Sequence, residues 1–234
     1  MGRGVEDCSA ADRPDRAGIV SPRPAGSGCS VRAGVAIPYE TLRPTLQTGD
    51  IVLFSGGGHV SSLIKWLTRS RWSHVGMILV VPTYDLVLLF ESTSLSTLAD
   101  AETGRVTCGV QIASFRDRVQ TYPGDIAVRA LVTLRTPAML DALTQFRQEV
   151  RHRPYERRIL ELLYAVAQWS PGEDLSSFFC SELVVEAYHR MGLLPSAVPC
   201  DTYAPADFST ETHRVSASLQ HGAQLGPEQV IARI

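Results

Sequence analysis

Residues 74–91 read HVGMILVVPTYDLVLLFE. Two leucine-rich and β-branched runs, His74 to Val81 and Leu86 to Glu91, flank Pro82-Thr83-Tyr84-Asp85. Proline and aspartate between apolar runs are turn chemistry, so the stretch predicts an antiparallel hairpin with buried faces. His74 and Glu91 stand at similar distances from that turn, so pairing brings an imidazole and a carboxylate toward one end of the sheet. Each needs a reason to be there. An imidazole opening an apolar strand after Trp72-Ser73, and a carboxylate closing Val87-Leu88-Leu89-Phe90, both call for polar partners. The plainer readings are a satisfied core histidine and a strand-end acid facing water.

Outward from the hairpin, Asp50-Ile51-Val52-Leu53-Phe54 follows a Thr48-Gly49 turn signal and reads as a first strand. Gly109 to Ala113 and Asp125 to Leu131 add two more, the second announced by Pro123-Gly124, giving a sheet of about five strands. Val60, Leu63, Ile64 and Leu67 recur at helical spacing after three glycines. Pro137 suits a helix first turn, and Leu140, Leu143, Phe146 and Val150 carry an apolar stripe until Pro154 stops it. Ile159 to Trp169 predicts another helix, and Cys180 to Met191 a third, closed by Gly192 as a left-handed cap. Strands precede helices, which predicts an α+β fold with its helices on one face of the sheet. Residues 1–38 hold no aromatic residue and are rich in Gly, Pro, Arg and Asp, so they are expected to be a disordered tail ahead of one domain over 39–234.

Composition narrows the function classes. With 22 basic and 24 acidic side chains the net charge is -2, which gives no general attraction to a phosphate backbone and disfavours a nucleic-acid partner. The longest apolar stretch, Val75 to Val81, is far short of a membrane span, and the first residues, which lack an apolar h-region, lead us to expect neither signal peptide nor lipidation. Five widely spaced cysteines without a C-x-x-C pair indicate neither a disulfide framework nor a structural zinc site, so no metal or cofactor is expected and a reducing, cytoplasmic location is. Arg147, Arg151, Arg153, Arg157 and Arg158 outnumber Glu149 and Glu156. Such a stretch is usually a solvated helix end, and otherwise a place for an anionic headgroup or carboxylate.

The chemistry is read from the third helix. Cys180, Leu183, Val184, Ala187 and Met191 fall in one sector at 100° per residue, so Cys180 opens the helix and faces the body of the protein. A thiol at a helix N-terminus lies beside unpaired N–H groups and the positive end of the dipole, which favours the nucleophilic thiolate; the same amides suit an oxyanion. A small buried hydrophobe is the alternative. Of the six histidines, His189 points to the opposite side of this helix and is expected in solvent. His152, His213 and His221 sit in polar contexts, and His59 follows Gly56-Gly57-Gly58 without the Gly-Lys-Ser/Thr of a phosphate loop. His74 is left as the base, with Glu91 to orient it.

GDIVLFSG (49–56), IKWLT (64–68), WSHVGMIL (72–79), LLFES (88–92), GVQI (109–112), RPYE (153–156), FCSELVVEAYHRMGLL (179–194) and YAPADF (203–208) together resemble the permuted papain-like amidase family related to NlpC-type peptidases, the YaeF/YiiX group. The likeness runs from about Leu46 to Phe208. It implies a circularly permuted papain-like fold in which a central antiparallel sheet supplies histidine and acid and a helix supplies the cysteine, in the order His74, Glu91, Cys180. It further implies covalent thiol catalysis on an amide or ester of a small-molecule, peptide or lipid-like substrate. Peripheral contact with lipid is compatible with it. Tyr155 matches a tyrosine of the family's pattern and, with Trp72 and Ser181, forms the candidate substrate-contacting set. The rival readings are an acyltransferase that resolves the same thioester with an amine or alcohol, and a binding module that has lost turnover.

Overall fold

The computed structural model describes residues 35–56, 65, 69–93, 97–151 and 177–233. The expectations for the tail up to residue 34, for His59 and its helix, for His152, for Tyr155 and for the helix over Ile159–Trp169 lie outside the described residues.

Strands β1 (Ile51–Ser55), β2 (His74–Val81), β3 (Leu86–Thr93), β4 (Gly109–Ser114) and β5 (Asp125–Arg129) appear where the apolar runs place them. A short pair, β6 (Leu131–Val132) with β7 (Gln224–Leu225), stands apart, and β8 (Gln229–Val230) joins the main sheet as a sixth strand. The order is β4-β3-β2-β1-β5-β8, and every pairing is antiparallel. The hairpin closes through a 3₁₀ turn at Pro82–Tyr84 and a left-handed Asp85, whose N–H donates to the Pro82 carbonyl. Ile37 forms a parallel bridge with Ile231, so the described chain enters the fold two residues ahead of Tyr39.

The helices among the described residues are α1 (Tyr39–Leu42), α2 (Phe115–Thr121), α3 (Pro137–Val150), α4 (Ser177–Arg190) and α5 (Arg214–Ser218). Thr136 caps α3 by accepting the Met139 N–H, with Pro137 in the first turn, and Ser114 caps α2 in the same way from Asp117. Gly192, at φ +70, ends α4 as expected, with the Leu193 N–H returning to the Tyr188 carbonyl.

Helices cover both faces, which corrects the one-face expectation. The strands are apolar at consecutive positions, and a pleated strand sends consecutive side chains to opposite faces. Ile51, Leu53, Val75, Met77 and Phe90 pack with Phe146, Leu183, Val184 and Ala187 of α3 and α4. Val52, Phe54, Ile78 and Leu89 pack with Tyr39, Leu42, Phe115 and Val119 of α1 and α2. Each large apolar side chain so buried contributes about 1.5–3 kcal/mol. The Tyr188 hydroxyl donates to the Gly49 carbonyl, 2.8 Å, and fixes α4 against the start of β1. Buried Arg129 donates to the Phe208, Leu225 and Gly226 carbonyls and ties the C-terminal segment to β5.

Candidate active site

His74 is the first residue of β2 and pairs with Phe54 of β1. The register Met77↔Phe90 sets Glu91 opposite Gly76, and Gln111 of β4 faces Glu91 from the other side. His74, Gly76, Glu91 and Gln111 therefore project to one side of the sheet. Gly76 is the quiet member of this group. A Cβ there would lie 2.8 Å from Leu89 Cδ1, 3.2 Å from the Phe90 carbonyl oxygen and 3.4 Å from Glu91 Cβ. Without it the diagonal is open, and Glu91 Oε2 reaches His74 Nε2 at 2.8 Å. The other oxygen, Oε1, accepts from Gln111 Nε2 at 2.8 Å and from the Arg118 guanidinium of α2.

All of these groups are buried: Glu91 is 1% exposed, His74 and Arg118 8% each. Burial alone would push the Glu91 carboxyl upward, but the Arg118 charge beside it and the His74 hydrogen bond outweigh that and hold it at about 2. Burial pushes His74 downward. The Cys180 charge and hydrogen bond, joined by those of Glu91, reverse this and raise it to about 10. Nε2 is taken by Glu91, Nδ1 is buried without a hydrogen bond among the described residues, and the Cys180 thiol lies near enough to act on the charge of the imidazole. Carboxylate, imidazole and thiol thus follow one another in a chain, with the imidazole held protonated in the middle.

Cys180 is fully buried on α4. The described helix already runs through residues 177–179, so Cys180 does not open it, which corrects the expected placement. Apolar periodicity marks which side of a helix is buried, but it does not mark the residues before the stripe that continue the same backbone. Trp72 is fully buried, and its indole N–H donates to Glu228 Oε1 at 3.2 Å. Ser181 is buried, its hydroxyl donating to the Tyr203 carbonyl at 2.7 Å. Arg147 and Arg151 of the basic stretch pair with Glu102.

Arg118, Gln111 and Gly76 went unread in the sequence. The signal for Arg118 is an arginine between Phe115 and Val119, on the side of α2 that faces the sheet. For Gln111 it is a polar residue inside Gly109-Val110-Gln111-Ile112, and for Gly76 a strand glycine, which marks close approach. One further expectation is corrected. His189 is not in solvent: its side chain is 6% exposed and lies against Cys200 and Glu186, because residues after Gly192 fold back over that side of α4. Neither Cys180 nor Cys200 is in a disulfide. Burial and the neighbouring Glu186 push the Cys200 thiol up to about 12. No helix among the described residues is long and apolar enough to cross a membrane.

No family model and no curated protein matches the sequence. Among solved structures, the chain is similar to the crystal structure of the metalloprotein YiiX from Escherichia coli O157:H7, at 17% identity and a TM-score of 0.43, over 80% of this chain and 97% of that one.

Proposed function

We propose that the protein is a thiol-dependent hydrolase of amide or ester bonds that works through an acyl-enzyme on Cys180, on a permuted papain-like domain over residues 39–234. The observation that carries this reading is the buried His74 imidazole, placed between the Glu91 carboxylate and the Cys180 thiol. The thiol gives its proton to His74, the Cys180 thiolate attacks the carbonyl carbon, and His74 passes that proton to the departing amine or alcohol as the C–N or C–O bond breaks. A water then attacks the thioester, His74 takes a proton from it, and the acid leaves with the thiol restored. Glu91 holds the imidazole by Nε2 and stabilises its charge, while Arg118 and Gln111 fix the carboxylate.

The test uses p-nitrophenyl acetate as a probe ester followed by intact-mass analysis. One acetyl group on Cys180, lost on addition of water alone and absent from Cys180→Ala, supports the reading. Release faster with an added amine than with water makes the acyltransferase the better description. Acetylation at an unchanged rate in both Cys180→Ala and His74→Ala overturns the proposal.

A further inference from the structure

A second group of donors sits about two turns further along α4. Glu186 and His189 occupy i and i+3 positions and share one side of the helix, and Cys200 reaches them from a 3₁₀ turn, Cys200–Thr202. Cys200 Sγ lies 3.4 Å from Glu186 Oε2 and 3.5 Å from His189 Nδ1, and Nδ1 lies 3.5 Å from the same carboxylate oxygen. The three atoms make a nearly equilateral triangle. A tetrahedral zinc ion with bonds of about 2.0–2.3 Å to oxygen, nitrogen and sulfur has ligand-to-ligand edges of about 3.3–3.6 Å. The observed edges match one face of that tetrahedron.

Two observations separate this triangle from an ordinary surface cluster. The His189 ring is 6% exposed, its Nε2 is buried without a hydrogen bond among the described residues, and its Nδ1 is aimed at the other two donors. Glu186 is oriented from behind, since its Oε1 accepts from Arg190 Nε at 2.7 Å and leaves Oε2 for the centre.

We propose that Glu186, His189 and Cys200 bind one zinc ion, with the fourth position open to water. The thiol S–H bond breaks as the S–Zn bond forms, and its proton goes to solvent. Nδ1 and Oε2 each give a lone pair, and the metal is not reduced or oxidised. The ion clips the segment after Gly192 onto α4. That segment leads into Tyr203, whose carbonyl accepts the Ser181 hydroxyl, beside Cys180.

The experiment takes the full chain stripped of metal with a chelator and adds Zn²⁺ against a chromophoric competitor, with Co²⁺ as a spectroscopic substitute. The expected result is one zinc per chain, release of one proton, and a thiolate-to-cobalt charge-transfer band. Cys180→Ala keeps all three. Cys200→Ser and His189→Gln weaken binding by at least the roughly 10–100-fold that even an outer-shell partner of a metal is worth. Because either variant can also perturb folding, the wild-type chain is footprinted with N-ethylmaleimide, where zinc protects Cys200 and leaves Cys180 unprotected. No binding at micromolar zinc, loss of the site in Cys180→Ala, or wild-type affinity in both Cys200→Ser and His189→Gln overturns the proposal.

Discussion

One helix carries parts of two groups with the same composition. Cys180, His74, Glu91 and Arg118 lie where β2 begins, and Cys200, His189, Glu186 and Arg190 lie at the other end of α4. In the first the carboxylate, imidazole and thiol form a chain, and the arginine is sealed in with them. In the second, carboxylate, imidazole and thiol converge on one point, and the arginine is 41% exposed. A chain moves a proton; a triangle surrounds an ion. Residue types alone therefore do not assign chemistry, and the order in which the donors meet does.

The sharpest way to break this distinction is to exchange the thiols one at a time. Cys180→Ala is expected to lower acylation by p-nitrophenyl acetate on the order of a thousandfold or more, as loss of a nucleophile does, while Cys200→Ala leaves it within the range of a neutral change. Equal losses would show that the two groups do not differ in kind. Next in size is the pair of arginines. Arg118→Met strands the Glu91 charge in the interior and is expected to cost about 3–5 kcal/mol in urea unfolding. Arg190→Met, at a solvent-screened pair, is expected to cost less than about 1 kcal/mol.

The pH dependence of stability sharpens the comparison further. Glu91 sits at about 2 against 4.5 unfolded, so its contribution is complete above pH 4.5 and is lost as pH falls through 2. His74 sits at about 10 against 6.5, so its contribution is complete below pH 6.5 and is lost as pH rises through 10. Urea midpoints should peak between those unfolded values, and Glu91→Gln should flatten the acid limb. An unchanged acid limb would assign it to another carboxylate. Gly76→Ala is expected to fall between the two arginine changes. Crowding Leu89 and the Phe90 carbonyl should cost about 1–3 kcal/mol and lower acylation as well, because Glu91 loses its diagonal path to His74. Full stability with wild-type acylation would show that the glycine has no part in the site.

Much of this architecture was legible in residues 74–91. The hairpin, its neighbours β1, β4 and β5, and the approach of Glu91 to His74 all follow from apolar runs and turn residues. What went unread depends on contacts across layers. Arg118 meets Glu91 only because α2 packs on the face of the sheet away from α4, and no periodicity within Phe115–Thr121 reports what lies beneath it. His189 looked solvated on a helical wheel because a wheel shows the helix and not the chain that folds back over it. β8 is two residues long, too short for any alternation to register.

That short strand has a consequence for synthesis. β8 covers the edge of β5 through Ala127↔Val230 and Val128↔Gln229, roughly a hundred positions apart in the chain. At about 5–20 residues per second on the ribosome, the nascent β5 edge waits about 5–20 s for its partner, during which its N–H and C=O groups can template pairing with a neighbouring chain. Soluble yield is thereby tied to how fast the intervening hundred residues are made, a kinetic exposure that the stability of the finished fold does nothing to shorten.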